Sequence, residues 1–435
     1  MRNYLYIPAL ALALTLNACD SSSSSSAPAP QVTTTQPTTA QPSQPNSENP
    51  TPVDPTNPAT GESSVLGLRS GLVLPRAQYL QNVGNGIAKS AEDFLKASDA
   101  LNQATLAYCG SYDPALLETA KLRFSDAMLL WQQIELFQMG PLSENSAALK
   151  YKIYGWPQIS NYCKIDEESM LALSDAEYSL PSNTNRKGLQ ALEYLLYDAS
   201  LTSICPASNE TKGLWEAQTP AKKWEARCAF MKPVAAELVT NATTLSTQWG
   251  TKDNNYITSK IGNQDAEQSA LQEIFNNLFY IDLEVKNQKL AAVAGSDIKL
   301  CPKSPAPCPD KEELRFSHLS KQAMTSNVRS IADLIFGFGE PRSGGLSALL
   351  RNDNASAIAA TTEANVTKLI TLTETEQSSL ETVLAAKNGE DCDASQNSWV
   401  CKVRQTIKDV VGDFKGEYTS ILKTSVPLAP QGDND

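Results

Sequence analysis

The chain has 435 residues, 41% of them hydrophobic, with 36 Lys and Arg against 48 Asp and Glu for a formal net charge of −12. Such acidity opposes the phosphate attraction that nucleic-acid binding needs, so nucleic acid is not an expected partner. With one histidine, His318, a His-Glu-x-x-His zinc motif is impossible, and a serine triad would need that imidazole with no nucleophile-elbow motif to accompany it.

From the start of the chain, Met1 and Arg2 precede an apolar run from Leu5 to Leu16. The run is too short for a permanent membrane span and reads as a secretion signal over residues 1–18. It ends in Leu16-Asn17-Ala18-Cys19, which resembles a bacterial lipoprotein cleavage box. By that resemblance Cys19 becomes the acylated first residue, several acyl chains give stable anchoring, and the membrane is a partner. Asp20 leaves inner and outer membrane both open. Residues 19–64 are Ser, Thr, Pro, Gln and Ala with few large apolar side chains. They are expected to be a disordered tether with an end-to-end distance of roughly 35–40 Å.

Beyond the tether the pattern is helical. Leu80, Val83, Ile87, Ala91, Phe94, Leu95 and Leu101 recur mostly at threes and fours between Ala77 and Ala107, with Ser98 as the polar lapse. Pro114 suits a helix start, and Leu116, Leu117, Ala120, Phe124, Met128, Trp131 and Ile134 continue until Gly140-Pro141. Further helices are predicted over about 187–198, 220–246, 263–293, 311–338, 353–388 and 399–423. Strand patterns are nearly absent, which points to helix bundles. Gly188-Leu-Gln-Ala-Leu and Gly345-Leu-Ser-Ala-Leu form a weak internal echo. The polar stretch 248–262 is the expected boundary between residues 65–250 and 251–427, with a disordered tail over 428–435.

Cys19 aside, eight cysteines remain. An even number behind a secretion signal implies disulfides in an oxidising compartment, and no Cys-x-x-Cys spacing suggests redox or zinc chemistry. Sequence leaves the connectivity open. Pairing near neighbours gives Cys109–Cys163, Cys205–Cys228, Cys301–Cys308 and Cys392–Cys401.

The stretch Gly188-Leu-Gln-Ala-Leu-Glu193-Tyr-Leu-Leu-Tyr-Asp198 resembles the signature helix of the imelysin-like proteins, Gly-x-His-x-x-Glu, with Gln190 at the histidine position. Phe137-Gln-Met-Gly140-Pro141 with Ile153-Tyr-Gly-Trp156-Pro157 is similar to the family's Gly-Pro and Trp-Pro region. Glu313-Leu-Arg315-Phe316-Ser317-His318-Leu319-Ser320 is similar to its Glu-x-x-x-Ser-x-x-Ser segment, and Gly344-Gly345-Leu346 to a later turn. Order and approximate spacing hold from about residue 75 to 425. The resemblance implies an all-α fold of two four-helix bundles related by duplication.

Residues three apart share a helix face, so Gln190 and Glu193 point the same way and Glu313 and Ser317 lie one turn apart, with Ser320 beyond. The candidate ligand-binding set is Gly188, Gln190, Glu193, Glu313, Arg315, Ser317, Ser320 and Trp156, at a site between the bundles. Glu193 and Glu313 are the candidate metal ligands. A glutamine carbonyl is a poor zinc ligand and a tolerable one for harder ions. Each of these residues also has a plain structural role open to it: Glu193 as a paired buried carboxylate, Gly188 and Trp156 as packing, Ser317 and Ser320 as helix caps. Arg315 is expected to neutralise Glu193.

The family is implicated in bacterial iron uptake. The expected function is therefore a non-catalytic, membrane-anchored binding component for iron or another divalent metal, working with envelope iron-uptake proteins. Two alternatives stand: a metallopeptidase, disfavoured because the motif histidine is missing, and a structural envelope protein whose site has decayed.

Overall fold

Short polar caps set six of the helix starts among the described residues. Helix α1 (Arg76–Ser111) ends at Tyr112 in the left-handed conformation; Asp113 then accepts the Ala115 N–H, and Pro114 opens α2 (Pro114–Glu135). Asn161 caps α4 (Tyr162–Ser174) and Asn209 caps α6 (Glu210–Glu216) in the same way. Thr219 with Pro220 starts α7 (Pro220–Trp249), Asn263 starts α8 (Gln264–Leu278), and Ser398 starts α14 (Trp399–Asp413). Each cap satisfies a backbone N–H that has no partner within its helix. The computed structural model describes residues 74–157, 161–296, 299–304, 306–339, 341–385, 392 and 398–431. The expected leader, Cys19, the tether and residues 432–435 lie outside that range.

The remaining elements are α3 (Glu144–Ile153), α5 (Gly188–Tyr197), a π-helical stretch Ile281–Ala291 continuing into α9 (Ala292–Ala294), and α10 (Ser320–Phe336). They are followed by α11 (Leu346–Asn352), α12 (Ser356–Thr375), α13 (Leu380–Ala385), α15 (Thr419–Leu422) and α16 (Leu428–Gln431). Residues 428–431 of the expected tail thus form a helical turn. Among the described residues the only strands are β1 (Gly250–Thr251) and β2 (Asn254–Asn255), an antiparallel hairpin where the bundle boundary was expected. The fold is all-α.

In the first half α1 packs along α2 and α7, while α4 and α5 lie on α7. In the second, α12 packs between α10 and α14, and the π-helical stretch lies on α14. The halves meet where α2 packs on α10, and one apolar core runs through both, from Leu74 to Leu422. Ser98, the polar lapse in α1, is buried and donates to the Phe94 carbonyl at 2.8 Å, so its hydroxyl is satisfied within its own helix.

Two expected disulfides are corrected. Cys109 pairs with Cys228 and Cys163 with Cys205, rather than Cys109 with Cys163 and Cys205 with Cys228. The cause is the packing of α1 against α7, which places the end of α1 beside the start of α7 with a Cα–Cα distance of 5.4 Å. Neighbours in sequence are then not neighbours in space. Cys301–Cys308 and Cys392–Cys401 form as expected.

Candidate binding site

The signature helix α5 is buried along nearly its whole length. Gly188, at its start, has φ +71°, and a Cβ there would lie 2.6 Å from the Ile153 carbonyl oxygen. Only glycine fits that backbone and that approach. Its role is to seat α5 against the end of α3. Two residues on, Gln190 is 4% exposed and donates from Nε2 to the Thr184 carbonyl at 3.1 Å. The absence of a side chain on Gly155 makes room for this amide, since a Cβ there would lie 2.6 Å from Gln190 Nε2.

Glu193 is 1% exposed. Its Oε1 accepts the Phe316 N–H at 3.1 Å, the Ser317 N–H at 3.0 Å and the Ser317 hydroxyl at 2.9 Å. Burial raises its pKa from 4.5 to about 7, the three donors opposing the rise and nearby Glu313 adding to it. These bonds explain why the helix predicted from 311 starts only at Ser320. Glu193 takes two N–H groups that a helix would use internally, and His318 sits at φ +57°. Residues 313–318 form turns, so the expectation that Glu313 and Ser317 lie one helical turn apart is corrected. Ser320 accepts the Leu314 N–H at 3.1 Å, which closes the loop onto the helix start.

This loop delivers Glu313 and Arg315 to a cavity of about 470 Å³. Tyr154, Trp156, Tyr162, Gln190, Glu313 and Arg315 line it, together with Lys299, Lys311, Asp310 and Glu312. The volume falls in the range of small-molecule sites, roughly 300–1,000 Å³. Of the candidate residues, Trp156, Gln190, Glu313 and Arg315 meet at the cavity. Glu193 and Ser317 stand behind it and hold the loop, while Gly188 and Ser320 shape the backbone. Arg315 does not neutralise Glu193: its guanidinium lies 4.7 Å from the Tyr162 ring centre and 4.8 Å from that of Phe316. His318 pairs with Glu381 at 2.6 Å on the exposed surface, outside the cavity lining.

Beneath the cavity lies a buried polar network that sequence reasoning missed. Lys289 from the π-helical stretch donates to Gln132, to Glu135 Oε2 at 3.2 Å and to Asn327 at 3.0 Å, and pairs with Glu313 Oε1 at 3.1 Å. Glu313 Oε1 also accepts from Gln132 Nε2 at 3.0 Å and from the Tyr154 hydroxyl at 3.1 Å. Burial opposes the charge on Lys289, but Glu135 and Glu313 outweigh it and raise its pKa. Burial raises the Glu313 pKa, against the pull of Lys289. The ammonium lies 4.8 Å from the Trp156 ring centre. Asn327 and Ser330 of α10 donate to the Gln132 and Gln133 carbonyls of α2, so the network spans the contact between the halves. One signal for it was present: Lys289 follows Ile281 and Val285 at helical spacing, a charge on an apolar stripe.

The Glu193 Oε1 lone pairs are committed to three donors, and Glu193 is not among the lining residues. Among the described residues, the one group of three Cys, His, Asp or Glu whose ligand atoms cluster is Cys163, Glu167 and Cys205, and both sulfurs belong to a disulfide. No described helix is long and apolar enough to cross a membrane.

Two solved structures share the fold. One is an imelysin-like protein from Psychrobacter arcticum, with a TM-score of 0.60, 14% identity and coverage of 82% of this chain and 99% of that one. The other, from Parabacteroides distasonis, is described as an iron-regulated protein A precursor; its TM-score is 0.57, again at 14% identity, over 81% of this chain and 96% of that one. No curated protein matches the chain. The imelysin family profile matches residues 87–399, a span that holds the signature helix, the Trp-Pro turn and the Glu313 loop. On that match the chain belongs to the imelysin family.

Proposed function

We propose that this protein is a lipid-anchored, non-catalytic binding component of the bacterial envelope that serves iron uptake, with its ligand held in the cavity above Lys289. The observation that carries the reading is the convergence of Trp156, Gln190, Glu313 and Arg315, distant in sequence, on one cavity at the contact between the halves. The position that holds histidine in the family motif is Gln190, and it lines that cavity. The Leu16-Asn17-Ala18-Cys19 box supports the anchor. The description of the Parabacteroides distasonis protein as iron-regulated supports the process. Iron is cargo in this reading, not a resident cofactor.

Equilibrium dialysis of the full chain against ferric iron, supplied alone and as its citrate complex, tests the reading. Retention of one form is expected, reduced on the order of tenfold or more by Glu313→Ala and by Trp156→Ala. Retention of neither form, or retention that both variants leave intact, contradicts it.

A further inference from the structure

The polar atoms around the cavity are unevenly matched. Gln190, Glu312 and Glu313 all line it and are 4%, 5% and 7% exposed. Each has one oxygen without a hydrogen-bond partner among the described residues: Gln190 Oε1, Glu312 Oε2 and Glu313 Oε2. Leaving a buried acceptor unpaired costs on the order of 1–3 kcal/mol, more for a charged group. Of the seven amide and carboxylate oxygens in that condition among the described residues, three belong to residues that line this one cavity. Only one lining donor is in the same condition, Nε of Arg315.

Two of the neighbouring cations, Lys289 and Arg315, already have partners. Lys289 is shared among Gln132, Glu135, Asn327 and Glu313, which already exceed the three N–H bonds an ammonium can donate. Arg315 lies over two aromatic rings. Lys299 and Lys311 line the cavity too, as does Asp310. A ligand that matches this wall brings donors, and carboxylates accept most strongly from charged ones. The volume suits an organic molecule, and the rings of Tyr154, Trp156 and Tyr162 offer it flat apolar surface.

We propose that the cavity takes a small organic amine, whose ammonium or guanidinium group donates to Gln190, Glu312 and Glu313. The inference rests on the reading of this cavity as the ligand site and names the chemical class of what enters it.

Calorimetric titration of the full chain with agmatine and with putrescine tests the inference. Succinate, magnesium ion and ferric citrate are run beside them. Saturable one-to-one binding of an amine is expected, with no binding of succinate. Glu312→Gln and Glu313→Gln, which keep side-chain shape and turn an acceptor into a donor, should each weaken it about tenfold to a hundredfold. Gln190→Leu should weaken it about tenfold, while Gln190→Glu, which keeps the acceptor, should preserve or strengthen it. Circular dichroism of each variant separates loss of binding from loss of fold. Amine binding that none of the variants alters overturns the inference. So does Glu313-dependent binding of ferric citrate or magnesium with no amine binding, though the cavity then stands as the ligand site. Failure of every probe to bind removes both.

Discussion

Glu193 is the residue at which expectation and geometry part most clearly. In the motif it reads as a ligand; in the fold it fastens the Phe316–Ser317 turn and so aims Glu313 and Arg315. Its carboxyl holds a proton up to about pH 7 in the fold, against an ordinary 4.5, so folding takes up a proton between those values. The contribution to stability is full below about pH 4.5 and declines as pH rises towards 7. Urea unfolding of wild type and Glu193→Gln at pH 4.5 and pH 8 measures this. The variant should gain relative to wild type at the higher pH, by on the order of 3 kcal/mol, and the opposite trend contradicts the assignment. Glu193→Ala, which leaves the Phe316 and Ser317 N–H groups without their acceptor, should cost about 2–3 kcal/mol at pH 4.5 and close to nothing at pH 8, since it loses the same titrating carboxyl.

At the scale of elements, the two glycine-led helices that echo each other in sequence do the same structural work. Gly188 abuts the Ile153 carbonyl at the end of α3, and a Cβ on Gly345 would lie 2.4 Å from the Ile335 carbonyl near the end of α10. Gly188→Ala and Gly345→Ala should each lower stability by at least about 2 kcal/mol in thermal or urea unfolding. The helix starts near 114, 220 and 399 were legible because proline at 114 and the apolar period act locally. The course of residues 311–319 was not, because an acceptor on a distant helix overrides the local pattern. The Cys109–Cys228 bridge escaped for the same reason, being a consequence of how α1 and α7 pack. It spans 119 residues against 7 for Cys301–Cys308. Loop-closure entropy then predicts that removing it costs about 4–5 kcal/mol, against about 2–3 kcal/mol for the short bridge. Equal costs by urea unfolding would refute this ordering.

At the scale of the molecule, the two halves share an apolar core and the Lys289 network. A boundary near residue 250 was expected from composition, yet the residues that join the halves, Gln132, Glu135, Lys289 and Asn327, are scattered singly along the sequence. Calorimetry of the full chain should show one cooperative transition, and two separable transitions would mean that the halves are independent. Lys289→Met, which strips Glu135 and Glu313 of their cation, should lower that transition by the equivalent of about 3–5 kcal/mol.

The claim on which the account turns is that ligand enters the cavity above Lys289. Hydrogen exchange of the full chain, with and without ferric citrate and with and without agmatine, maps that directly. Protection is expected to concentrate at residues 154–157, 188–193 and 310–317. Protection confined to other surfaces, with these segments unchanged, would contradict it.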